Sequence, residues 1–84
     1  MQKRKTALAT ETLTGIVTPI QWDDSGRISE VALFATDDEE YVIENGEKFL
    51  DFAQKSIKAT GPVKRNQKAF KSIHIKRFDI LEDF

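Results

Sequence analysis

The chemically capable side chains of this 84-residue chain are mostly cations, and they are gathered in one stretch. Between Lys55 and Arg77 there are eight basic residues and no acid, whereas residues 28–54 hold eight acids and one lysine. The net charge of −1 hides this segregation. Clustered cations suit the phosphates of a polyanion, and flat rings beside them suit the stacking of bases. Trp22, Phe34, Tyr41 and Phe70 are rings of the required kind, with the core or a barrel end as the alternative place for Tyr41 and Phe70. Catalytic chemistry has less to use. His74 is the sole histidine, cysteine is absent, and Ser25, Ser29, Ser56 and Ser72 sit in no nucleophile motif. The run Asp37, Asp38, Glu39 and Glu40 attracts hard cations in principle, but its spacing is not that of a calcium loop, so a solvated turn is expected. The four glycines are isolated, so no phosphate-cradling loop forms. These residues point to a noncatalytic binding protein with no metal and no cofactor.

The elements that position these groups are read from periodicity. Residues 12–20 are rich in β-branched side chains and predict a first strand, with Gly15 marking a bend. Asp23, Asp24, Ser25 and Gly26 have turn chemistry. Along residues 28–36, a period of two puts Val31, Leu33 and Ala35 inward and Ala32 and Phe34 outward. A short third strand follows at residues 41–44. From Gly46 to Gln54 the period lengthens to that of a helix, with Asn45 as its N-cap and Phe49, Leu50, Phe52 and Ala53 on one side. Alternation then returns. It buries Ile57, Ala59, Gly61 and Val63 in a fourth strand, with a sharp bend at Gly61, and Ile73 and Ile75 in a fifth, with His74 outward. The order is β-β-β-α-β-β, in one domain of residues 12–84 preceded by a flexible basic arm at residues 1–11.

An all-β chain with one short helix between its third and fourth strands resembles the OB-fold, a five-stranded barrel. The resemblance is carried by residues 13–17, by the aromatic segment around Phe49 and Phe52, by residues 57–63, and by residues 73–75. It spans roughly residues 12–82 and matches no single functional family. It implies a ligand face across strands 2 and 3, flanked by the loops between strands 1 and 2 and between strands 4 and 5. The corresponding residues here are Trp22, Arg27, Phe34, Lys64, Arg65, Lys68 and Phe70. Single-stranded nucleic acid or another anionic ligand is the expected partner, and a protein partner meeting the outward Phe34 is the alternative. The resemblance also pairs strand 5 with strand 3, which would set Lys76 and Arg77 beside Glu40 and Glu44 as internal ion pairs.

Three of the first six residues are basic, but no apolar run long enough for a signal core or a membrane span follows them. A soluble cytoplasmic protein is expected, with a periplasmic or secreted one that has lost its signal peptide as the other case. The lack of cysteine leaves the redox compartment open.

Overall fold

The computed structural model describes residues 9–65 and 71–81. It is mainly β, with six strands: β1 (Thr10–Trp22), β2 (Ile28–Ala35), β3 (Glu40–Ile43), β4 (Ser56–Arg65), β5 (Lys71–Ile73) and β6 (Arg77–Ile80). β1, β2 and β3 form an antiparallel meander, β3 meets β5 in parallel, β5 pairs with β4, and β4 returns to β1. Five strands thus close a ring. It falls short of a regular barrel, because the β3–β5 seam consists of only Val42 opposite Ser72 and Ile43 opposite Ile73. Among the described residues no helix is long and apolar enough to cross a membrane.

The expected alternation is realised inside the ring. Val17, Val31, Leu33, Ile43, Ile57, Ala59, Val63, Ile73 and Ile75 fill the core, and Phe34 and His74 face out. Of its two expected places, a stacking ring or the core, Tyr41 takes the core. It lies opposite Leu33 and is fully buried. Ala32 shares the outer face with its neighbours Thr18 and Val42, yet it is also fully covered, since a methyl group sits below longer side chains.

Two glycines let strands change partners. Gly15 sits where β1 is shared between β4 and β2, and a Cβ there would collide with the Phe34 carbonyl oxygen. Gly61 sits where β4 passes from β6 to β5, and a Cβ would collide with the His74 carbonyl oxygen. Both bends expected at these positions are therefore close backbone approaches, which only glycine permits.

The single fifth strand of the sequence reading is two strands. Ile73 lies opposite Val63 and Arg77 opposite Thr60, so three residues on one side face two on the other. That is a β-bulge. The hydrogen bonds from His74 N–H to the Pro62 carbonyl (3.1 Å) and from Lys76 N–H to the Thr60 carbonyl (2.8 Å) carry the pairing through it.

The expected helix over Gly46–Gln54 is also replaced, by two 3₁₀ turns at Gly46–Lys48 and Leu50–Phe52. Asn45 makes no side-chain cap. Its amide instead donates to the Ile75 carbonyl (2.8 Å) and accepts from the Ile75 N–H (3.0 Å), filling the two backbone groups that the bulge leaves without a strand partner. With its cap engaged elsewhere, the segment tightens into turns of three residues, which bring Phe49 and Phe52 to the same side, 6.0 Å apart. Phe78 of β6 packs on both, at 5.0 and 5.4 Å.

Candidate binding surface

The residues expected to form the ligand site fall into three places. Trp22 and Arg27 flank the β1–β2 turn, where the Asp23 carboxylate accepts from Ser25 N–H, Ser25 Oγ and Arg27 N–H, bonds that hold its pKa below the ordinary range. Trp22 is well exposed there. Phe34 lies opposite Ile16, six positions along β1 from Trp22, which is roughly 20 Å at 3.4 Å per residue. Lys64 and Arg65 end β4. Lys68 and Phe70 lie outside the described residues.

The charges of Lys64 and Arg65 are matched within the domain. Lys64 Nζ is 3.2 Å from Glu44, whose carboxylate also accepts from Ser72 Oγ at 3.0 Å. The Ser72 hydroxyl, and then Lys64, hold the Glu44 pKa below its ordinary value. Arg65 forks onto Glu11, donates to Tyr41 Oη at 3.0 Å, and stacks over the Tyr41 ring at 5.4 Å. Tyr41 in turn donates to Asp37 at 2.8 Å. Along this chain, the bond from Arg65 lowers the Glu11 pKa and the bond from Tyr41 lowers that of Asp37. Burial, seconded by Asp37, raises that of Tyr41, and Glu11, then Tyr41, raise that of Arg65. Asp37 also caps Glu39 N–H, and Asp38 adopts φ 67, so the acidic run is the turn its residues suggested. Lys71 pairs with Glu39 at 3.0 Å.

Among the described residues, the expected pairing of Lys76 and Arg77 with Glu40 and Glu44 does not form. Lys76 and Arg77 do not lie beside β3, because Lys76 stands in the bulge and Arg77 opens β6 against β4, and Lys64 takes Glu44 instead. Among the described residues Lys58, Lys76 and Arg77 form no ion pair. These three line one cleft of about 550 Å³ with Thr12, Thr60 and Asp79.

The cleft belongs to a continuous outer wall, legible from the pairing register. Thr12, Thr60 and Arg77 form one cross-strand row, Thr14, Lys58 and Asp79 the next, and Phe34, Ile16 and Ser56 the third. Leu81, whose N–H bonds the Ser56 carbonyl, extends the third row. Ile16 and Phe34 are 44% and 46% exposed, and they border an apolar cleft of about 330 Å³ that reaches Leu81. The row of Arg77 lies four residues from the apolar row, or roughly 14 Å, and the row of Lys58 lies two residues from it, or roughly 7 Å. Sequence reasoning missed this wall, since it set Lys76 and Arg77 in a single fifth strand beside the third. Only the bulge, unreadable without the pairing, moves the cations here.

The expected face across β2 and β3 is acidic. Glu30, Glu44 and Glu47 border a depression there of about 280 Å³. The imidazole of His74 stands on the outer surface with Nδ1 3.7 Å from Glu44, beyond hydrogen-bond length. Comparison with protein-family models, with curated proteins and with solved structures found nothing that this chain matches.

Proposed function

We propose that this protein is a noncatalytic OB-type binding module for single-stranded nucleic acid or a similar polyanion, held on the wall of β1, β4 and β6. The OB reading is supported by the connectivity, a three-strand meander followed by a fourth and fifth strand with the fifth between the third and fourth. One observation carries the ligand class. Lys58, Lys76 and Arg77, unpaired among the described residues, share an outer wall with the exposed Ile16 and Phe34, whereas Lys64, Arg65 and Lys71 are matched by acids. Phosphates would lie over Lys58, Lys76 and Arg77, and a base would rest on Phe34 about one to two nucleotides away. Asp79 lies in register with Lys58 and offsets part of the attraction. The reading thus keeps Phe34 from the expected site and exchanges its cations.

Binding of a labelled mixed-sequence oligonucleotide, followed by anisotropy at several salt concentrations, tests this. Three phosphate contacts predict a slope of about −2 in log K against log salt, or roughly twentyfold weakening from 50 to 200 mM. Lys58→Glu should abolish binding and Lys64→Glu leave it intact. The opposite pattern, or no binding at 50 mM salt, would reject the proposal.

A protein partner is the second reading, favoured by the apolar cleft between Phe34 and Leu81. It predicts that Phe34→Ser removes a partner from a pull-down while Lys58→Glu does not.

A further inference from the structure

We infer that β6 is a dimerisation edge, at which two copies of this chain pair antiparallel about a two-fold axis centred on Phe78. β6 pairs with β4 on one side, and among the described residues no strand lies on the other. In an antiparallel pair, alternate residues direct their backbone groups toward the partner. Leu81 N–H bonds the Ser56 carbonyl, so Asp79 and Arg77, in the same phase, also face β4. Phe78 and Ile80 therefore direct their N–H and C=O groups to the open edge. The two residues are 38% and 47% exposed, high values for apolar residues of a sheet. An edge with free donors and acceptors and uncovered apolar side chains is a template for another strand.

The sequence of the edge selects the occupant. Centring two antiparallel copies on Phe78 sets Arg77 of each opposite Asp79 of the other, so the contact joins opposite charges twice. Phe78 faces its own copy, and the two rings extend the cluster that each makes with Phe49 and Phe52. The same surface on both copies makes the contact isologous and closed, giving a dimer rather than a fibre. The outer walls then run together across the axis, and the two clefts holding Lys58, Lys76 and Arg77 become neighbours. The pairing itself needs no ligand and stands apart from the proposed function.

Sedimentation of the full chain from micromolar to millimolar concentration should show a monomer–dimer equilibrium. Arg77→Asp and Asp79→Arg each turn both cross-strand pairs repulsive and should weaken the dimer about tenfold or more. An equimolar mixture of these two variants restores opposite charges at every pair and should dimerise about as well as the unaltered chain. Ile80→Pro removes an N–H directed away from β4, so the fold should persist by circular dichroism while the dimer is lost. The inference is overturned if the unaltered chain stays monomeric at millimolar concentration, if Ile80→Pro still dimerises, or if the mixture associates no better than either variant alone. Ile80→Pro also separates this inference from the ligand proposal, since the monomer it yields retains every cation of the wall.

Discussion

Asn45→Ala removes the clamp on the bulge, and its cost follows from two bonds. The Asn45 amide is the hydrogen-bond partner of both the N–H and the C=O of Ile75, and both residues are buried. A buried backbone group left unpaired costs about 1–3 kcal/mol, so losing both partners should cost about 2–4 kcal/mol, with some relief from entering water. A domain of this length holds roughly 4–13 kcal/mol of stability, so the loss is a large share. The thermal midpoint should fall by roughly 10–25 °C. Urea unfolding followed by far-ultraviolet circular dichroism measures the cost, and hydrogen exchange at the Ile75 amide localises it. Asn45→Asp adds a signature in pH. A carboxylate accepts from Ile75 N–H but repels the Ile75 carbonyl, which raises its folded pKa above the unfolded value of about 3.9. The native state then binds more protons than the unfolded state, so this variant is nearest the unaltered protein below about pH 3.9. It falls behind as pH rises through the raised folded pKa. A loss under about 0.5 kcal/mol for Asn45→Ala, or unchanged protection at Ile75, would refute the clamp.

Three further outcomes follow from the same geometry. Gly61→Ala drives a methyl into the His74 carbonyl oxygen and should cost roughly 3 kcal/mol or prevent folding, read by thermal unfolding. Gln54 holds φ 75 in a surface turn, so Gln54→Gly should stabilise by about 0.5–1 kcal/mol, and a loss of stability would contradict the left-handed assignment. Glu11, Asp37 and Glu44 have folded pKa values below their ordinary values of 4.5, 3.8 and 4.5, so the stability they confer is present above about pH 4.5 and is lost as pH falls through the folded values. In Tyr41→Phe the Asp37 pKa should rise toward 3.8, as measured by NMR titration, and the variant should lose less stability than the unaltered chain between neutral pH and pH 3.

What could be read from the sequence was set by local periodicity. The inward set of Val31, Leu33, Ile57, Ala59, Val63, Ile73 and Ile75 follows from a period of two, and the turns at Asp23 and Asp37 follow from side chains that bond their own backbone. The helix did not form because Asn45 meets Ile75, thirty residues away, and a long-range bond of this kind has no local signal. The choice between the two places of Tyr41 has no local signal either. Its ring is in the core while its hydroxyl reaches Arg65 and Asp37, and residue type alone does not separate a stacking ring from such a bridge. The charge blocks were visible, but which cation meets which acid depends on register.

That dependence makes the bulge the link between the fold and the surfaces it presents. Had the alternation of Ile73, His74 and Ile75 continued unbroken, Arg77 would point into the core and Phe78 into solvent. One extra residue reverses the phase. Arg77 then faces out beside Thr60, and Phe78 turns toward Phe49 on the side of the buried Ala59. Gly61 makes room for the bulge and Asn45 satisfies it, so two residues far from the wall decide which side chains the wall presents. The same phase sets Phase-opposed roles along β6: Arg77 and Asp79 bond back to β4, and Phe78 and Ile80 offer their backbone to the open edge. A variant that resolves the bulge while keeping the ring should therefore lose the cationic wall and the dimer edge together, although no residue of either surface has been changed.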